Sequence, residues 1–131
     1  MTNHDNGTIA LAHHDRAAGL FAWQLEHYPE AHTNRRNLVL HAVTAPLFCA
    51  GTVLVAVAPF TNPWLSLGGL LMLLALIAQG RGHGSESNRP TPFRGPGDFV
   101  ARFFVEQWVT FPRFALGGGF ARAWRRRSTT R

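Results

Sequence analysis

Two short stretches concentrate imidazoles, amides and a carboxylate at spacings that could do chemistry. The first runs His32-Thr33-Asn34-Arg35-Arg36-Asn37-Leu38-Val39-Leu40-His41, and the second runs Gln79-Gly80-Arg81-Gly82-His83-Gly84-Ser85-Glu86-Ser87-Asn88-Arg89-Pro90. Asn37 and His41 are four residues apart, as are Gln79 and His83, while Glu86 follows His83 by three. Each pair shares a face if its segment is helical. Imidazole nitrogens and a carboxylate oxygen around a cation with open positions are what non-haem Fe(II) chemistry on O2 uses, and zinc accepts the same donors. The spacing alone matches no established metal motif, and for a histidine one turn into an apolar helix the plain alternative is a hydrogen bond to a neighbour. A site requires a fold that brings the two stretches together.

The residues between them supply such a fold. Residues 38–58 carry no formal charge, and at about 1.5 Å per residue such a run approaches the roughly 30 Å hydrocarbon core of a bilayer. Pro59, Phe60, Thr61, Asn62 and Pro63 make a turn, and residues 64–79 form a second uncharged, leucine-rich run. That run is short for a span, a length that a buried helix of a soluble bundle shares. The pattern predicts an all-α protein: a membrane helical hairpin with flanking amphipathic helices. Because its two helices are antiparallel, His32, His41, His83 and Glu86 are expected at one end. Arg35 and Arg36 precede the first run, Arg81 and Arg89 follow the second, and the turn between is uncharged. Arginine of this asymmetry places both ends of the hairpin on the cytoplasmic side of a bacterial inner membrane.

The flanks are read as follows. Residues 1–14 are a polar lead-in without an apolar signal segment, so the N-terminus is expected to stay cytoplasmic. Asp15 would cap a short amphipathic helix reaching about Tyr28. His27 reads as an exposed histidine at that helix's end, and His4, His13 and His14 as tail residues able to bind metal adventitiously. Gly80, Gly82 and Gly84 weaken helix continuation and imply either close backbone packing or unwinding. Pro90, Pro92 and Pro96 enforce a loop, residues 99–111 form an interfacial amphipathic helix, and residues 15–121 make one helical membrane domain. With 131 residues there is room for a single domain, and the net charge of +6 comes from arginine, lysine being absent. Arg122, Arg125, Arg126, Arg127 and Arg131 make residues 122–131 a basic tail suited to anionic lipid. Nucleic acid is not expected as a partner, because no fold that binds it is recognisable.

Together the two stretches resemble the paired signatures of the small membrane family typified by the yeast 2-hydroxy-fatty-acid dioxygenase. The resemblance lies in Tyr28, His32-x-Asn34-x-x-Asn37-x-x-x-His41 and Pro46, then in Gln79-x-x-x-His83, Glu86-x-Asn88-Arg89-Pro90, Phe93 and Gly97-Asp98-Phe99, covering residues 28–111. It implies an Fe(II)-dependent dioxygenase that shortens a long-chain 2-hydroxy fatty acid by one carbon with O2. It also implies His32, His41 and His83 as metal ligands and Glu86 as a fourth ligand or base. Asn37 and Gln79 would orient imidazoles, and Arg89 or Arg81 would pair with the substrate carboxylate. The competing reading is a non-enzymatic membrane adaptor binding anionic lipid or a partner protein through its aromatic helix and arginine-rich tail. Homo-oligomers are compatible with either.

Overall fold

The computed structural model describes Arg16 and residues 19–126, and every regular element among them is helical. The fold is all-α. Asp15, the expected cap, the whole polar lead-in of residues 1–14, and Arg127 and Arg131 of the tail lie outside the described residues.

Helix α1 (Leu20–His27) begins after Gly19, whose φ of +95° is a conformation that glycine adopts without strain. Pro29 sits in a 3-10 turn, Tyr28–Ala31, and the chain then runs extended to Asn34. Asn34 starts the next helix by accepting the Arg36 N–H with its side-chain oxygen at 2.8 Å, satisfying one of the donors a helix start leaves free. This helix, α2 (Arg35–Val57), passes through a 3-10 turn at Ala58–Phe60. Asn62 repeats the capping device on the Trp64 N–H at 3.0 Å. Pro63 then opens the turn Pro63–Leu67, which leads into α3 (Gly68–His83).

With their turns, the two long helices run 26 residues from Arg35 to Phe60 and 21 from Pro63 to His83. Both are long and apolar enough to cross a membrane, and only 33% and 17% of their most apolar stretches are buried in the protein. A soluble core helix would bury most of such a stretch. Here Val43, Val53, Leu70, Leu73, Leu74 and Ile77 face outward instead, which suits association with a membrane.

Helices in lipid gain little from hydrophobic burial against each other and rely on close van der Waals approach. Glycine provides that approach. A Cβ on Gly51 would lie 2.5 Å from the Gly68 carbonyl oxygen, and one on Gly68 would lie 2.7 Å from that of Gly51. At the other end of the hairpin a Cβ on Gly82 would collide with the Asn37 amide. The glycine run therefore does not unwind α3, which stays helical through His83. Of the two meanings those glycines had in the sequence, close packing is the one realised at Gly82.

Beyond a proline-rich loop, α4 (Pro96–Val105), a widened π turn (Glu106–Thr110) and α5 (Phe111–Leu116) follow without a break. Gly118, at φ +84°, turns the chain into α6 (Gly119–Arg125). The side chains of this rod are arranged opposite to those of a soluble surface helix. Arg102, Gln107 and Thr110 are buried, whereas Val100, Trp108 and Leu116 are exposed. Gln107 turns toward the hairpin, where it pairs with Gln79, while Arg102 turns toward Trp23 and the loop carbonyls of Thr91 and Pro92. Tyr28, Leu38, Ala45, Phe111, Phe114 and Ala123 form the apolar core.

The glycine contact gives the first prediction. Gly51→Ala forces the α2 and α3 backbones apart and is expected to cost about 1–3 kcal/mol. Gly69→Ala, where the nearest atom is Val55 Cγ2 at 3.9 Å, is expected to be neutral or to gain up to about 1 kcal/mol of helix propensity. Thermal unfolding of both variants in one detergent checks the contrast.

Candidate metal centre

Four elements each bring one side chain to a common point. His32 follows the 3-10 turn, His41 lies in the second turn of α2, His83 ends α3, and Glu106 opens the π turn. One donor atom from each lies within 4.8 Å of every other. The imidazole centroids are separated by 4.6 Å (His32 to His41), 4.8 Å (His32 to His83) and 5.1 Å (His41 to His83). His32 and His41 are almost wholly buried.

Hydrogen bonds determine which nitrogens face the centre. His32 Nδ1 lies 2.8 Å from the Tyr28 carbonyl oxygen, and His41 Nδ1 lies 3.0 Å from that of Asn37. A carbonyl can only accept, so both Nδ1 atoms carry protons. In the neutral rings this leaves the Nε2 lone pairs pointing inward. Those two Nε2 atoms are 3.4 Å apart and lie 3.6 Å (His32) and 3.1 Å (His41) from Glu106 Oε1. Lone pairs and a carboxylate at such distances repel unless a proton or a metal cation stands among them. Charging all three imidazoles instead would place like charges about 5 Å apart in a buried site, which burial and mutual repulsion both disfavour. His83 Nδ1 is buried with no hydrogen-bond partner, another nitrogen with lone-pair or proton capacity unused by the protein. The donor set therefore fits a divalent metal.

Glu106 is held as the anion. Burial raises its pKa, but hydrogen bonds and charge from His32 and His41, in the state where those rings also carry a proton on Nε2, outweigh that and bring it well below the usual carboxylate range; a cation held by the neutral rings would act in the same direction. Tyr28 donates its phenol to Glu106 Oε1 at 3.0 Å and stacks on His32 with centroids 3.7 Å apart. Burial, followed by the Glu106 charge, pushes the Tyr28 pKa up, so the phenol stays protonated.

His32, His41 and His83, the imidazoles singled out in the sequence, thus come together, but the carboxylate beside them is Glu106 and not Glu86. Glu86 accepts the N–H groups of Thr33 and Asn34 at 3.1 and 3.0 Å, the Thr33 hydroxyl at 2.8 Å and the Asn37 amide at 2.8 Å. It holds the loop that carries His32. Asn37 orients His41 through its main-chain carbonyl, while its side chain donates to Glu86 and, at 3.3 Å, to the Ala31 carbonyl. Gln79 exchanges two amide hydrogen bonds with Gln107, at 2.8 and 2.7 Å, and donates to Thr44 Oγ1 at 2.9 Å. Arg81 and Arg89 are both exposed. Arg89 lines a polar opening with His27, Glu30 and Asn88. His27 is only half-buried, its Nδ1 2.8 Å from the Trp23 carbonyl oxygen.

Sequence reasoning missed Glu106, although a signal exists. Arg102, Glu106 and Thr110 recur every four residues in an otherwise apolar helix, and a polar stripe there must face inward. The π turn brings the adjacent Gln107 inward too, and such turns gather at functional sites. Beside the centre lies a largely apolar cavity of about 310 Å³, walled by His32, His83 and Glu106 on one side and by Leu76, Phe99 and Phe103 on another.

A profile of the family described as 2-hydroxy-palmitic acid dioxygenase Mpo1-like matches residues 19–114. The chain belongs to this family. All four donors of the Mpo1-like protein, Glu106 included, fall inside the matched residues. Neither the curated proteins nor the solved structures give a match.

The Glu86 clasp of this Mpo1-like protein is testable. Burial raises the Glu86 pKa, but hydrogen bonds from Asn37, Thr33 and the Asn34 N–H bring it below the ordinary 4.5. A lowered folded-state pKa contributes stability that is present above the unfolded value and lost as pH falls through the folded one. Glu86→Gln is therefore expected to destabilise the fold by about 1–3 kcal/mol at neutral pH. Melting curves should show the gap to wild type narrowing only below pH 4.5.

Proposed function

We propose that this protein is an Fe(II)-dependent membrane dioxygenase that shortens 2-hydroxy fatty acids, or closely related lipids, by one carbon. The observation that carries the reading is the convergent, largely buried group of His32, His41, His83 and Glu106 at the end of an apolar hairpin opposite its turn. Three imidazoles and one carboxylate would hold the metal, and bound Fe(II) would supply the one-electron chemistry that O2 requires. Zinc fits the same donors but has no redox chemistry.

The chain's own residues prepare this site in three ways. The Tyr28 and Asn37 carbonyls fix the orientation of two imidazoles, which is how ligand geometry and basicity are set. Tyr28 shares Glu106 Oε1 with His32 and His41, keeping the carboxylate ionised and aligned. Phe99, Phe103 and Leu76 keep water from much of the cavity wall and offer an apolar path for an acyl chain. The outward apolar faces of α2 and α3 would give a lipid substrate direct access from the bilayer. The polar opening with Arg89 is where a carboxylate headgroup would first be met. Arginines near the site end favour a bacterial inner membrane with both termini cytoplasmic and with the metal centre near that face. An adaptor that only bound lipid or a partner protein would have no use for four buried, convergent donors.

Oxygen uptake by purified protein with Fe(II) and 2-hydroxypalmitate tests the proposal, with product chain length read by mass spectrometry. Wild type is expected to yield the acid one carbon shorter. His83→Ala and Glu106→Gln are expected to lose more than about a hundredfold, beyond the range for residues that merely orient a ligand. Zinc loading should abolish uptake. Iron-independent turnover, or wild-type turnover in both variants, would overturn the proposal.

A further inference from the structure

The cavity has a second polar corner that the metal centre does not use. Arg102 lies four residues before Glu106 and, with Trp23, contributes to the cavity wall. It is 8% exposed, a deep position for an arginine. Its Nη1 donates to the Thr91 carbonyl at 2.8 Å and the Pro92 carbonyl at 3.3 Å. The guanidinium lies 5.0 Å from the Trp23 ring centroid and 4.4 Å from that of Phe93, so aromatic faces fix its plane. Asp98 is committed to Arg16 at 2.6 Å and stands 3.8 Å from Arg102, too far for a hydrogen bond. Among the described residues, Arg102 Nε is buried without a partner, and so is the Trp23 indole Nε1. Two buried N–H donors thus go unused on residues that line the cavity, and each costs free energy while it lacks an acceptor.

We propose that Arg102, with Trp23 as a second donor, forms the subsite that binds the carboxylate of an acyl ligand inside the cavity. The Nε side of a guanidinium is one edge of the fork that grips a carboxylate, and Nη1, held by two carbonyls, keeps that fork from rotating. Gln24 steadies the same turn, its Nε2 donating to the Arg102 carbonyl at 3.0 Å. Burial pushes the Arg102 pKa down, a penalty that an anionic ligand relieves. The leucine and phenylalanine walls suit the hydrocarbon part of a fatty acid. This subsite deepens the fatty-acid reading and rests on it for the ligand class, but it does not depend on the metal.

The test is calorimetric binding of octanoate and of octan-1-ol to the full chain in detergent, with iron and, in a parallel arm, with a chelator. Wild type is expected to bind octanoate at least tenfold tighter than octan-1-ol in both arms. Arg102→Gln should weaken octanoate by roughly 10–100-fold, the loss of a charge-assisted pair, and leave octan-1-ol unchanged. Trp23→Phe, which keeps the ring and removes the N–H, should weaken octanoate alone by roughly 3–10-fold. A role confined to folding would move both ligands together and would overturn the proposal. A carboxylate preference that is intact in Arg102→Gln, or that vanishes with chelator in wild type, would also overturn it while leaving the iron-dependent reaction standing. If Arg102→Gln does not fold, unchanged octanoate affinity in Trp23→Phe is decisive against the subsite.

Discussion

Everything at the centre depends on two imidazole N–H groups being committed to main-chain carbonyls four residues back, His32 to Tyr28 and His41 to Asn37. That commitment sets the tautomer, and the tautomer decides whether the inward nitrogens are donors to a metal or donors of a proton. His27 bonds the Trp23 carbonyl in the same manner yet lies outside the donor group. The local device therefore aims a ring but does not create a site. Convergence comes from the hairpin, which carries the end of α3 back beside the start of α2, and from α4, which delivers Glu106.

The hairpin in turn has a surface suited to a membrane. Its exposed side is rich in valine and leucine, and in lipid nothing outside would satisfy a polar group along its length. Inward polar side chains find protein partners, as in the Gln79–Gln107 pair with Thr44 and the Glu86 clasp on Thr33, Asn34 and Asn37, while His83 Nδ1 is left without one among the described residues. These pairs do structural work that their sequence positions disguise. Close backbone approach at Gly51 and Gly68, and room for Asn37 at Gly82, bring α2 and α3 near enough for the pairs to form. The histidine-bearing end of the hairpin thus rests on the close packing along its length.

The hairpin and the gathering of His32, His41 and His83 were legible in the sequence because both follow from coarse features: two uncharged runs, a turn between them, and motifs at their outer ends. The carboxylate was not. Glu86 stands three residues after His83, which on a continued helix would share its face, but α3 ends there and the turn sends Glu86 to the His32 loop instead. Glu106 depended on the rotation of a helix far along the chain, and a π turn changes that rotation in a way composition does not announce. The amides divided their roles. Asn37 does orient His41, but through its main-chain carbonyl, while its side chain pairs with a carboxylate and that of Gln79 with a second amide across the fold.

The central claim is that four side chains from four elements hold one divalent metal ion. Equilibrium binding of Co(II), followed by its visible absorption, tests it most directly in a chain whose His4, His13 and His14 are replaced by alanine. The account predicts one tightly bound ion per chain, with a spectrum reporting nitrogen and oxygen donors, and loss of that tight binding in His41→Ala and in Glu106→Ala. Tight binding that persists unchanged in both variants, or a folded parent chain that takes up no metal, would contradict it.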